Sequence, residues 1–311
     1  MIVMKISRAV LAVLASLGLL GLAGCSSVAP ASSESGQLSV TAAFYPFQFV
    51  AERVGGGRVG VTNLTPPGSE PHDLELSPKQ VANLGEVDLV IYQQGFQPSV
   101  DAAVQTVPPR RFVDTASFLT LRALAEGDSP DGGDDHEQGA LDPHTWLDPN
   151  NMIAITEQVR DALSAADPAS ATAFADNAKA LIADLTSLDA EYTKGLAGCR
   201  RTVFITSHEA FGYLADRYGL RQVGIRGIEP DTEPTAARIA EVQTIARENQ
   251  VTTIFFETLV SPTVAESVAG DLGLVTDVLD PLEGITDQSR GSDYLEVMRS
   301  NLAALQKANG C

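Results

Sequence analysis

Positive charge is scarce in this sequence: 21 Lys and Arg residues stand against 40 Asp and Glu, for a formal net charge of −19. So acidic a chain argues against nucleic acid as a partner and suits a soluble protein that meets cations. Histidine is scarcer, with four residues (His72, His136, His144 and His208), and tryptophan occurs once, at Trp146. The apolar run Ala9 to Ala23 is too short and wrongly flanked for a membrane-spanning helix of ordinary length. The HExxH helix of zinc metalloproteases is missing as well. His208-Glu209 starts such a pattern, but the residue four past His208 is Gly212.

What stands at the start of the chain is a secretory signal. Lys5 and Arg8 form a positive region before the apolar run, which closes on small residues. The stretch Leu22-Ala23-Gly24-Cys25 resembles the lipobox of bacterial lipoproteins. That resemblance implies lipidation of Cys25 as the first mature residue, where two or three acyl chains anchor a protein stably. Residues 1–25 are thus read as the signal. Residues 26–37, rich in Ser, Ala and Pro, are read as a flexible tether. The expected location is the outer face of the cell membrane, or its periplasmic side. With Cys25 assigned to lipid, Cys199 and Cys311 remain. Outside a reducing cytosol a disulfide between them is the natural reading, with two free thiols as the alternative.

The rest of the chain alternates short Val-rich strands with helices, as in LSVTAAF, RVGVTNL, VDLVIYQ and RRFVD, then TVFITSH, LRQVGIRGI, VTTIFFET and GLVTDVLD. Such alternation calls for an α/β fold with mostly parallel sheets. Two similar lobes are expected, at 38–160 and 199–311, joined by one long helix over 161–198. That helical region has one interruption, at Asp167-Pro168, where Pro168 fits a first helical turn. Residues 125–141 break the pattern, being acidic, Gly-rich and without apolar period, and read as a mobile loop.

His72, His144 and His208 each lie in a loop after a strand, where α/β folds gather ligands. His144 sits in DPHTWLDP, between two Asp-Pro pairs whose Asp142 and Asp148 are natural turn formers. Two facing lobes bring these loops together at a cleft, with Trp146 packed beside it. Neutral imidazoles suit zinc, which takes four ligands. The carboxylate expected to complete the set is Asp280, in VTDVLDPLEG, with Glu257 as its competitor.

The stretches PHDLELSP, DPHTWLDP, TSHEAFGYLADRYGL, the FFE strand end and LDPL resemble the zinc-binding lipoproteins of bacterial ABC importers, the cluster A-I (cluster 9) solute-binding proteins. The resemblance covers essentially the whole mature chain. It implies two α/β lobes linked by a long helix, with metal bound between them and handed to a membrane permease. The ligands it implies are His72, His144, His208 and Asp280. Glu257 matches a family glutamate close to the site, expected to orient a histidine N–H. Manganese members tend to carry glutamate at the third position, where this chain has His208, and three imidazoles with one carboxylate favour zinc on softness. Zinc members often carry a His- and Asp-rich insertion before the second ligand. Here it holds Asp134, Asp135 and only His136, so it is an accessory metal loop at most.

The expected function is capture of Zn2+ and its delivery to an ABC permease, by a monomer held to the membrane through its lipid and carrying out no chemistry on a substrate. A manganese or iron(II) carrier of the same fold is the nearest alternative. From another class comes a zinc-dependent hydrolase, which requires an open ligand position for water.

Overall fold

Short apolar runs that end in polar turns become the central strands of two parallel sheets. A computed structural model describes residues 36–124 and 141–311. In the first lobe, β1 (Leu38–Ala42), β2 (Val59–Asn63), β3 (Leu89–Tyr92) and β4 (Phe112–Asp114) pair in parallel in the order β2-β1-β3-β4. Their crossovers carry α1 (Tyr45–Gly55), α2 (Pro78–Asn83) and α3 (Pro98–Thr106). The inner strand β3, LVIY, is buried along its whole length, as a strand covered on both faces must be. The edge strand β2 alternates buried or half-buried residues with exposed ones. A two-residue antiparallel pair, β5 (Arg122–Ala123) and β6 (Leu141–Asp142), brackets the acidic insertion. Residues 125–140, with Asp134, Asp135 and His136, lie outside the described residues, as do the signal segment and Cys25.

The helical stretch that follows is two helices. Asp148 caps α4 (Pro149–Ala166) by accepting from Asn150 N, with Pro149 in the first turn. At Asp167 the chain turns through Pro168–Ser170, and α5 (Ala171–Gly195) begins. In α5, Phe174, Ala178, Leu181, Leu185, Leu188 and Tyr192 are buried at alternating spacings of four and three, one stripe of a 3.6-residue helix. At 25 residues α5 is about 37 Å long, enough to serve both lobes. Arg53 of α1 pairs with its Asp184 at 2.6 Å, and Tyr192 donates to Met298 O at 2.6 Å at its other end.

The second lobe repeats the plan. Strands β7 (Val203–Thr206), β8 (Arg221–Gly224), β9 (Thr253–Phe256) and β10 (Val275–Val278) form a parallel sheet in the order β10-β9-β7-β8. Helices α6 (Gly212–Tyr218), α7 (Ala236–Glu248) and α8 (Thr263–Leu272) cross between them, and α9 (Tyr294–Asn309) packs back toward α5. A disulfide joins Cys199 to Cys311 and holds the end of the chain beside the approach to β7, so these are not free thiols.

One continuous apolar core runs from Val40 and Phe47 through Trp146 and Leu188 to Phe255 and Leu282, and a second fills the far side of the second sheet around Ile205, Val242 and Ile254. Sharing a core makes residues 36–311 a single compact unit and a stiff support for whatever lies between the sheets. No helix among the described residues is long and apolar enough to cross a membrane.

Candidate metal centre

Each of the three predicted histidines is held by its own loop. His72 lies between β2 and α2, where Gln97 Nε2 donates to Pro71 O at 3.1 Å and the ring of Phe96 stands edge-on to the imidazole at 4.8 Å. His144 follows β6. Asp142 Oδ1 accepts from His144 N at 3.0 Å and from its ring Nδ1 at 2.9 Å, so the turn-forming aspartate also sets the ring. His208 follows β7, its carbonyl accepting from Gln222 Nε2 at 3.0 Å and its Nδ1 donating to Glu257 Oε1 at 2.6 Å. A carboxylate oxygen there accepts from Nδ1 of each ring, which turns Nε2 of both toward the cleft.

The Nε2 atoms of all three histidines converge on one oxygen. Glu283 Oε1 lies 3.3 Å from His144 Nε2 and 3.4 Å from Nε2 of both His72 and His208, and the Nε2 atoms of His144 and His208 are 3.4 Å apart. All four side chains are buried. The second carboxylate oxygen, Glu283 Oε2, is also buried and has no hydrogen-bond partner among the described residues. A buried carboxylate oxygen left so is unusual and fits a cation ligand.

The carboxylate of this cluster is therefore Glu283, and the expectation that Asp280 supplies it is corrected. Asp280 builds the turn that aims Glu283. Its Oδ1 accepts from Leu282 N at 2.8 Å, and its Oδ2 from Ser289 Oγ at 2.9 Å and Thr258 Oγ1 at 3.3 Å. Asn301 brackets the same residue, accepting from Asp280 N at 2.9 Å and donating to Asp280 O at 2.7 Å. Trp146 Nε1 donates to Pro281 O at 2.7 Å. These bonds hold Leu282 at φ 58°, a left-handed conformation costly for leucine, and the next side chain swings into the cleft. A carboxylate three residues beyond Asp280 in "LDPLEG" was the signal available in the sequence. Nothing local says that the chain reverses there.

Glycine has one exacting position here. A Cβ on Gly212, the first residue of α6, would fall 2.5 Å from Asp142 Oδ2 and 2.8 Å from Arg122 Nη1. Only a bare backbone lets α6 approach the aspartate that orients His144. Tyr213, the next residue, donates to Asp142 O at 2.8 Å and accepts from Arg122 N at 2.8 Å, tying the second lobe to the β5–β6 pair.

The electrostatics are those of a site built for positive charge. Burial opposes protonation of His72, yet its contacts with Glu229 and Glu283 outweigh it and push its pKa up to about 10. His208 is likewise raised well above the usual value, against its burial, by Glu257 and Glu283. Burial alone would raise the Glu283 carboxyl, but three imidazoles around it hold it well below the usual range. With no metal, protons take the place of the cation.

The match to known proteins extends over the same elements. A zinc-binding lipoprotein AdcA of Streptococcus pneumoniae is 37% identical over 279 residues, which cover 88% of this chain and 56% of the relative, so this chain spans little more than half of that protein. The high-affinity zinc uptake system protein ZnuA of Bacillus subtilis is 34% identical, with 90% of each chain covered. The crystal structure of the Zn(II)-bound ZnuA-like domain of Streptococcus pneumoniae AdcA superimposes with a TM-score of 0.74 at 34% identity, over 89% of this chain and all of that one. The family model for ZnuA, the periplasmic component A of a zinc-uptake complex, matches residues 40–308, and this chain belongs to that family.

Proposed function

We propose that this protein captures Zn2+ outside the cytoplasm, in the cleft between its lobes, and delivers it to the permease of an ABC importer. The ligands are His72, His144 and His208 through Nε2, and Glu283 through its carboxylate. The observation that carries this reading is the spacing of the donor atoms. Four ligands at about 2.0–2.1 Å in a tetrahedron stand roughly 3.3–3.4 Å apart, since the edge is about 1.63 times the bond length. Four of the six donor separations are 3.3–3.4 Å, and all lie within 4.8 Å. An octahedral ion with bonds of similar length wants neighbouring donors about 2.9 Å apart and mostly oxygen, which disfavours the harder divalent cations.

Asp142 and Glu257 orient His144 and His208 from behind, as outer carboxylates do at zinc sites. Glu283 closes the fourth position, so no metal-bound water is left to activate, and the protein is a carrier and not a hydrolase. Membrane attachment through a lipidated Cys25 is supported by the lipobox and by relatives that carry the name lipoprotein. The protein acts as a monomer.

Calorimetric titration of the purified, metal-stripped protein with zinc and separately with manganese tests the reading. One-to-one zinc binding, much tighter than manganese, is expected, lost for the most part in His144→Ala and kept in His136→Ala. Manganese binding equal to zinc, or equal losses in the two variants, would overturn it.

A further inference from the structure

The three histidines differ in what holds their outer nitrogens. His144 and His208 lean on Asp142 and Glu257, side chains 0% and 3% exposed that come from the same lobe as the histidine they serve. His72 belongs to the first lobe, and its Nδ1 faces Glu229 Oε2 at 3.4 Å. Glu229 stands in the loop between β8 and α7 of the second lobe, and its side chain is 59% exposed. It is the one outer carboxylate of the three that reaches across the cleft and meets solvent.

The same loop meets the first lobe at a second point, with the opposite sign of force. Asp231 stands with Glu70 and Asp73, one carboxylate oxygen of each lying within 4.8 Å of the others. The two exposed aspartates, Asp73 and Asp231, repel at that separation. The loop is therefore drawn over His72 by Glu229 and pushed away by Asp231, and the His72 contact decides whether it stays.

From this geometry we infer that Glu229 is a positioning residue that latches His72 across the cleft mouth and so sets how fast bound zinc leaves. The inference rests on the zinc reading above. A zinc-bound imidazole is neutral and donates Nδ1–H, and a carboxylate accepting that bond fixes the ring and strengthens its Nε2 as a ligand. With Glu229 in place His72 cannot swing away. When Glu229 leaves, His72 is the one ligand free to rotate, because the other two remain pinned from within their own lobes. Being exposed, Glu229 is also the one of these carboxylates that a partner docking at the cleft mouth can pull away.

The test is transfer of zinc from the loaded protein to excess EDTA, followed by stopped flow for the unaltered protein and for Glu229→Ala, Glu229→Gln and Asp231→Asn. Glu229→Ala is expected to speed release about 10–100-fold, the range for loss of an outer partner of a ligand. Glu229→Gln, whose amide oxygen still accepts from Nδ1, falls between, and Asp231→Asn stays within about twofold of the unaltered protein. In NMR of the zinc form, the Nδ1–H proton of His72 moves in Glu229→Ala while those of His144 and His208 stay. An unchanged release rate in Glu229→Ala would overturn the inference. So would a change of comparable size in Asp231→Asn, in either direction, since loop charge and not the His72 contact would then govern release. Failure of the unaltered protein to take up zinc at all would instead overturn the zinc reading beneath it.

Discussion

Trp146 Nε1 donates to Pro281 O at 2.7 Å, across 135 residues of sequence, and thereby joins the loop that carries His144 to the turn that carries Glu283. The ring is fully buried and packs edge-on against Phe44 at 4.6 Å, so it cannot follow a moving partner. A donor on one lobe and a ligand turn on the other are thus coupled through a single indole. Trp146→Phe keeps much of the apolar contact and leaves the Pro281 carbonyl without its donor. It is expected to cost about 1–3 kcal/mol of stability in urea denaturation. Zinc affinity by calorimetry is expected to fall about tenfold, because Glu283 is no longer aimed.

Asp280 and Glu283 are both buried carboxylates of one turn, and their variants separate a scaffold role from the ligand role proposed for Glu283. Glu283→Ala is expected to lower zinc affinity more than about 100-fold, beyond the effect of losing an outer partner. Asp280→Ala is expected to lower it less, about tenfold, while destabilising the metal-free protein by about 1–3 kcal/mol through the unpaired Leu282 N–H and the two freed hydroxyls. X-ray absorption at the zinc edge reads the difference directly. Three nitrogens and one oxygen persist in Asp280→Ala, and the carboxylate oxygen is lost in Glu283→Ala.

The pH dependence follows from the raised histidines and the lowered glutamate. In the metal-free protein the contribution of His72 to stability is fully present below its ordinary value of 6.5 and is lost as pH rises through about 10, and His208 acts in the same direction. The Glu283 contribution is present above its ordinary value of 4.5 and is lost as pH falls through its depressed pKa. Zinc displaces the protons held by His72 and His208, so affinity is expected to climb from pH 6.5 toward 10 and binding to release protons at neutral pH. Calorimetry at pH 7.5 in buffers of different ionisation enthalpy counts them. A count of zero would mean that neither His72 nor His208 holds a proton before zinc binds.

The Cys199–Cys311 disulfide closes a loop of 112 residues that contains both His208 and Glu283. Its removal in the double variant Cys199→Ser, Cys311→Ser is expected to cost about 2–5 kcal/mol, chiefly by freeing the unfolded chain. The shift of the urea midpoint measures this. Zinc stoichiometry is expected to remain one per chain, since neither cysteine touches the histidine loops.

Much of this architecture was legible beforehand because burial writes itself into local pattern. Parallel strands covered on both faces must be short apolar runs, as LVIY and VFIT are, and helices between them must carry a 3.6-residue stripe, as α5 does from Phe174 to Tyr192. Three histidines at the ends of such runs were enough to expect a metal site, and DPHTWLDP contained both His144 and the aspartate that orients it.

The carboxylate was another matter. Asp280 and Glu283 are equally suitable by type and only three residues apart, and what separates them is a left-handed Leu282 imposed by Asn301, 21 residues from Asp280, and by Trp146, 135 residues from Pro281. The sequence alone determined the α/β lobes and singled out the three histidines that the fold brings together, because those depend on periodicity and on position after a strand. Only the tertiary structure decided which carboxylate faces them and that Glu229 crosses the cleft to His72, because side-chain direction in a turn is set by partners remote in the chain.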